Sequence, residues 1–448
     1  MIRKVSIDNL SLIKNKSFNE YAQIYTNIEA VTLKNIESFG LSLQPRQPYN
    51  KKNLKLKQLE EKGAVIRNNK KSIMTTRISS ACEACQTGTG SYTTYTSLKC
   101  HRHCYFCFNP NQDDYEFYKD QQKDIEKELL QLLESGVKLK HLALTGGEPL
   151  LFKDEMISFF ELANQKTPET YTRLYTTGDL LDEETLQRLQ KTKLNEIRFS
   201  IKMEDSIHKI NHIFRKIELA QKYIPNILVE MPVIPGTLNE MKELLLKLDQ
   251  LGVFGINLLE FCFPLGNAKA FKERGFQLKN PPYEMFYNYW YAGGLAVAES
   301  EEACLELVEF ALQENLQLGV HYCSLENKYT GQIYQQNLDR ILDETYSYSN
   351  LDYFFKTVKV FGKDRKKAAA ILGKNLIPFY ENSNHDFLQF PIEAIHYLKN
   401  KNIELAISSN VVEFEEGESQ IREIALDWTT PDLFEIEDVF LKEEGGEK

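Results

Sequence analysis

Cys100, Cys104 and Cys107 are the residues of this sequence most able to do chemistry. They stand in SLKCHRHCYFCFNPNQ, a C-x3-C-x2-C run. Three thiolates crowded into one loop suit three irons of a cubane 4Fe–4S cluster, because thiolate is the usual protein ligand of such clusters. No fourth cysteine lies close by in sequence, so one iron is expected to stay open for an outside ligand. An open iron points to chemistry, whereas a closed cluster points to structure or electron transfer. Structural zinc asks for paired arms such as two C-x2-C units. The triad has no second arm of matching form, although His101 and His103 interleave with it.

Downstream, LALTGGEPLL spans Leu142–Leu151. It reads as a short buried strand that runs into a tight turn at Thr145, Gly146, Gly147, Glu148 and Pro149. Two glycines let a ligand come close to the backbone. Glu148 is then expected at the strand's end, available to a cationic group.

The triad and the GGEP turn together resemble the radical S-adenosylmethionine (radical SAM) superfamily. The resemblance implies that S-adenosylmethionine chelates the open iron through its amino and carboxylate groups. It also implies that the Gly146–Glu148 strand end binds the amino group and that Phe106 lies against the adenine. The cofactor supplies the radical chemistry in that family, and the protein supplies orientation and exclusion of water.

Several elements must position these groups. SYTTYTSLKC is rich in β-formers and delivers the triad at its C-terminal end. Helix-like and strand-like segments then alternate through QKDIEKELLQLLESG, KHLALTG, YTRLYTTG, DEETLQRLQ, NEIRFSIK, NILVEMPVIPG, NEMKELLLKLDQLG and GINLLEFCFP. After an insertion, EEACLELVEFALQENLQ reads as a helix and LGVHYCS as a seventh strand. Such alternation means parallel βαβ units in an α/β fold, with functional residues gathered at the strands' C-terminal ends. The resemblance implies a partial (β/α)6 TIM-like barrel with extensions, where periodicity alone also allows an open sheet.

The strand ends supply further candidates. Tyr175 to Gly178, with Thr176 among them, close the third strand, and Ser200 and Lys202 close the fourth. Lys202 matches the lysine of a D-[LI]-K segment in glycyl-radical-enzyme activases, which implies a contact to the cofactor's carboxylate; Ser200 stands where those have Asp. MPVIPG at Met231–Gly236 is similar to the activases' PVIPG strand end. This makes Val233, Ile234 and Gly236 candidates for the adenine contact, or else a plain turn after a strand.

Outside this core, Cys82 and Cys85 form a lone C-x2-C, half of a metal site. A second iron–sulfur cluster or zinc built from Cys82, Cys85 and Cys323, joined by Cys262, is one expectation; thiols packed as small core residues are the other. Cys304 has apolar helical neighbours and reads as packing. VHYCSLENKYTGQ offers His321, Cys323, Ser324, Asn327, Lys328 and Gln332 to a polar pocket. It resembles a stretch in a radical SAM subgroup related to pyruvate-formate-lyase-activating enzymes. The insertion crowds Tyr283, Phe286, Tyr287, Tyr289, Trp290 and Tyr291 beside Gly293–Gly294. It is either a lid with a hinge or a satellite hydrophobic cluster. The expected organisation is an N-terminal extension over 1–80, a barrel over 81–335 and a C-terminal α+β domain over 350–448.

The chain has 448 residues, eight cysteines and a net charge of −10. That length allows two or three domains. Clustered cysteines without a signal segment or a long apolar run fit metal binding in a reducing cytoplasm. Lys51–Arg77 is basic and Glu413–Lys448 acidic. The basic stretch is either a solvated face or a contact for an acidic electron donor, flavodoxin- or ferredoxin-like. The overall acidity argues against nucleic acid. The expected function is a radical SAM enzyme that abstracts hydrogen from a peptide or protein substrate. A glycyl-radical-enzyme activase and a non-catalytic iron–sulfur or zinc scaffold are the alternatives.

Overall fold

The computed structural model describes residues 2–46, 50–287, 293–415 and 417–441. The chain forms two compact units. One comprises Phe39–Tyr283 and Tyr289–Gly331; the other comprises Met1–Ser38, Glu284–Asn288 and Gln332–Lys448.

In the first unit the alternation gives seven strands: β1 Ser91–Tyr95, β2 His141–Thr145, β3 Tyr171–Thr176, β4 Glu196–Phe199, β5 Asn226–Val233, β6 Gly255–Glu260 and β7 Gly319–Cys323. Each runs parallel to the next. Ser72–Met74 adds antiparallel to β7, and Val65–Arg67 adds antiparallel to Ser72–Met74. The nine-stranded sheet is thus mostly parallel and is a partial barrel of the expected α/β class. Its two antiparallel strands come from the region expected to be an N-terminal extension.

Crossover helices Ile125–Glu134, Lys153–Lys166, Glu183–Lys191, Ile207–Ala220, Leu238–Gln250 and Ser300–Gln313 separate the strands. Asp124 and Asp182 begin two of them by accepting from the backbone N–H of Lys127 and Thr185, which satisfies donors that a first turn leaves open. The helices bury apolar stripes such as Phe159 and Phe160, or Leu186 and Leu189, in the core shared with Leu144, Leu174, Ile197 and Phe199. Side chains alternate across a strand. Ile197 and Phe199 therefore join this core, while Glu196 and Arg198 point to the opposite face; all four are buried.

The second unit holds a seven-stranded antiparallel sheet. Its main order is Arg3–Lys4, Glu418–Thr429, Leu405–Glu415, Phe355–Phe361, Phe387–Phe390, Tyr380–Asn382, and Ser347–Tyr348 pairs with Phe355–Phe361. Helix Lys16–Glu37 sends Phe18 and Ala22 into a core with Phe361, Phe387 and Leu426. Among the described residues no helix is long and apolar enough to cross a membrane.

Candidate active site

The loop after β1 carries the triad, and backbone hydrogen bonds clamp it to the turn after β2. Gly147 N donates to Ser97 O at 3.0 Å and Glu148 N to Lys99 O at 2.8 Å. Asn109 Nδ2 donates to Gly146 O at 2.9 Å from the far side of the triad. The approach is so close that a Cβ on Gly147 would lie 1.8 Å from Lys99 O. Gly146 has φ +124, a conformation open to glycine. The cysteine loop and the GGE turn are therefore one assembly.

Glu148 is 1% exposed. One carboxylate oxygen accepts from Thr176 Oγ1 at 2.6 Å and Leu150 N at 3.1 Å. The other accepts from Thr177 N at 2.8 Å and Thr177 Oγ1 at 2.6 Å. Glu148 thus fastens the end of β3 to the turn through neutral donors. A cationic group arriving at the turn meets its backbone, with the charge of Glu148 behind it. That differs from an exposed carboxylate at the strand end.

Cys100, Cys104 and Cys107 are partly exposed. Burial, then the charges of Glu148, Cys104 and Cys107, push the Cys100 thiol up, against an opposing hydrogen bond from Arg102 N. Burial also raises Cys107. The three thiols thus lie within one another's electrostatic reach. Among the described residues no three His, Cys, Asp or Glu side chains are arranged to hold a metal ion as they stand. A cubane sets its thiolates on separate irons, farther apart than the ligands of a single ion, and partly exposed thiols in one loop fit that guest.

Lys202 Nζ donates to Ser200 Oγ at 2.7 Å and lies 5.5 Å from the centre of the Phe106 ring. The charge of Lys202 also lowers Cys107. Phe106 meets Phe261 edge-on at 5.6 Å. Ser200 N is bonded to Thr176 O at 3.0 Å. The structure thus brings Phe106, Thr176, Ser200 and Lys202 to the triad's side of the sheet. Val233 and Ile234 are buried at the end of β5, where Val233 O accepts from Ser300 Oγ at 2.8 Å. Gly236 has φ +90, and a Cβ there would meet nothing within 4 Å. Pro149 opens a 3-10 turn that Glu148 caps.

Sequence reasoning missed a clamp inside the triad. Arg102 Nε and Nη2 donate to Asp179 at 2.6 and 2.7 Å, and Nη1 donates to Asp205 at 2.7 Å. His101 Nε2 also meets Asp179, at 2.7 Å. The loops after β3 and β4 therefore hold the cysteine loop from below. An arginine flanked by two cysteines of the triad was the available signal.

A polar interior was missed as well. Arg198 donates to Glu196 Oε1 at 2.5 Å, Glu230 Oε2 at 2.6 Å and Cys82 Sγ at 3.3 Å. Asn257 Nδ2 donates to Glu230 Oε2 at 2.7 Å and Cys82 Sγ at 3.2 Å. His321 is satisfied, with Nδ1 against Asn257 Oδ1 at 2.5 Å and Nε2 against Ser72 Oγ at 2.7 Å. Burial holds His321 down at about 3, so it is a neutral core histidine. Cys323 lies at the end of β7, and Cys304 packs in the helical core. Cys262 lies beyond β6 in a ribbon with Leu295–Ala296. Tyr283 is a buried anchor that bonds Gly294 O, and Tyr289, Trp290 and Tyr291 fall outside the described residues. Part of the basic stretch is used internally: Lys52 pairs with Glu301 at 2.8 Å, and Lys62 with Glu309 at 2.5 Å.

A protein of Methanocaldococcus jannaschii named "putative glycyl-radical enzyme activating enzyme" is 25% identical over 323 residues, 68% of this chain and 80% of that protein. Among solved structures, Streptococcus suis SuiB bound to precursor peptide SuiA aligns with TM-score 0.39 and 12% identity, covering 72% of this chain and 67% of that one. Native anSMEcpe with bound AdoMet and Cp18Cys peptide aligns with TM-score 0.33 and 19% identity over 38% of this chain, which spans about half, 50%, of that structure. Residues 94–248 match the family model described as the radical SAM superfamily. That stretch runs from the end of β1 past Lys202 and Gly236, and over it the chain matches the radical SAM superfamily.

Proposed function

We propose that the chain cleaves S-adenosylmethionine reductively at a 4Fe–4S cluster on Cys100, Cys104 and Cys107 and uses the product radical to take hydrogen from a peptide or protein. The observation that carries this reading is the clamp of the Gly146–Glu148 turn onto the cysteine loop, with Lys202 and Phe106 beside it. When bound, the cluster and its cofactor supply one-electron cleavage of the sulfonium to methionine and a 5′-deoxyadenosyl radical.

The chain's own residues bind and orient. The Gly146–Gly147 backbone receives the cofactor's amino group, with the charge of Glu148 behind it. Lys202, tethered by Ser200, offers its ammonium to the carboxylate. Phe106 offers an aromatic face to the adenine, and the Val233–Gly236 turn offers backbone at the end of β5. A flavodoxin- or ferredoxin-like protein supplies the electron. The relative's name favours a protein substrate, because activation of a glycyl-radical enzyme acts on a polypeptide. An activase is therefore the second reading.

The test is anaerobic reconstitution, reduction and addition of S-adenosylmethionine, with 5′-deoxyadenosine measured by chromatography. Wild type forms it and Cys104→Ala does not. A wild type that makes none while its cluster is intact and reducible would sink the proposal. Deuterium carried from a labelled peptide into 5′-deoxyadenosine identifies the hydrogen taken. A glycyl radical seen by electron paramagnetic resonance on an added partner enzyme decides for the activase.

A further inference from the structure

A second set of cysteines, drawn from distant parts of the chain, lies on the polar face of the barrel sheet. The short helix Ser80–Ala84 lies against the sheet's polar face. Ser79 Oγ donates to Glu196 Oε2 at 2.6 Å, and Ser80 Oγ meets His141 Nε2 at 3.2 Å. This docking puts Cys82 on Asn257 of β6, which also holds His321 of β7, and puts the Cys85 backbone against Gly331 of helix Leu325–Asn337, one turn from Asn327, the donor to Cys323.

The surroundings differ from those of a packed thiol. Cys304 is fully buried among apolar side chains. Cys82 instead receives N–H donors from Arg198 Nη2 at 3.3 Å and Asn257 Nδ2 at 3.2 Å. Cys323 receives Asn327 Nδ2 at 3.2 Å, and Asn327 is 3% exposed. Cys85 keeps exposed surface yet lies in the fields of Arg173 and Arg198. Arg173 Nε is buried without a hydrogen-bond partner, and its guanidinium sits 5.6 Å from the Tyr175 ring. Hydrogen bonds to sulfur and nearby cations are what an anionic, thiolate-bound cluster requires of its shell.

We propose that Cys82, Cys85 and Cys323 hold a second iron–sulfur cluster within the barrel, with Arg198, Asn257 and Asn327 as hydrogen-bond donors to its sulfur ligands. Three thiolates leave one iron open to the barrel interior. A cluster is favoured over zinc because three thiols fall one short of the four ligands a structural zinc takes, and because hydrogen-bond donors to sulfur suit an anionic cluster. This centre is independent of the cofactor-binding reading above.

The experiment measures iron, sulfide and zinc per chain after anaerobic reconstitution, with Mössbauer spectra. The Cys100→Ala, Cys104→Ala, Cys107→Ala triple variant alters a partly exposed loop and leaves the barrel interior intact. It should keep about half of the wild-type iron, as cubane. Cys82→Ala with Cys85→Ala should also lose about half, and Cys323→Ala should follow it. A triple variant free of iron overturns the proposal, as does wild-type iron in the Cys82 and Cys85 variant. One zinc per chain in place of iron in the triple variant overturns the cluster. Loss of 5′-deoxyadenosine formation with the second iron complement intact would count against the proposed function alone.

Discussion

Arg102 shows how much one side chain between two cysteines of the triad can set. It spans Asp179 and Asp205, so the cysteine loop is held by the ends of β3 and β4 as well as by its own strand. Burial works against the Asp179 carboxylate, yet hydrogen bonds from Arg102 and His101 and the charge of Arg102 hold it down at about 2. An aspartate in an unfolded chain titrates near about 4. The ion pair therefore contributes its full stability above that pH and loses it as pH falls through about 2, an effect of about 2 kcal/mol. Asp179→Asn should be less stable than wild type in urea at pH 6 by that amount, and the gap should close as pH approaches 2. A gap that persists unchanged at low pH would show that charge is not what holds the loop. Neither aspartate stood out in the sequence, because the pairing depends on which loops a parallel sheet places side by side.

The turn after β2 works as an element because two glycines let one backbone lie on another. Gly147→Ala would drive its Cβ into the Lys99 carbonyl, which is backbone leading directly to Cys100 and has no rotamer to change. The variant is expected to lose about 3 kcal/mol of barrel stability. It should also retain less iron than wild type after desalting; equal urea midpoints and equal iron would refute the contact. This element was legible: an apolar run ending in Gly-Gly announces a strand and a turn, and the strand–helix alternation fixed which end of the sheet it faces. The polar interior was not. Glu196, Arg198, Glu230 and Asn257 occupy alternate strand positions, where period-two reading assigns polar residues to solvent. Here they point into the barrel and satisfy one another. Cys82 and Cys85 were visible as half a site. The place of Cys82 against Arg198 and Asn257 depended on a five-residue helix whose docking no sequence period records.

At the scale of the whole molecule, residues near the start of the chain fold with strand Glu418–Thr429. Arg3–Lys4 pairs with Trp428 and Asp427, a two-residue strand too short to carry any alternation. The C-terminal strands were readable from their apolar runs, but nothing local says that an N-terminal helix completes their core. The evidence lies in packing. Phe18 is fully buried and stacks on Phe361 at 5.0 Å and 6° between planes, and Phe361 meets Phe387 at 5.9 Å. Asn15 fixes the helix start by accepting from Phe18 N and donating to Phe361 O at 2.9 Å. Removing a buried phenylalanine forfeits its transfer energy and leaves a cavity, about 3–5 kcal/mol in all. Phe18→Ala should therefore loosen this sheet although the change lies outside its strands. Hydrogen exchange read by mass spectrometry should speed up in peptides covering Phe355–Phe361 and Leu405–Glu415. If exchange there matches wild type, Phe18 is dispensable to that core and the N-terminal helix does not belong to its cooperative unit.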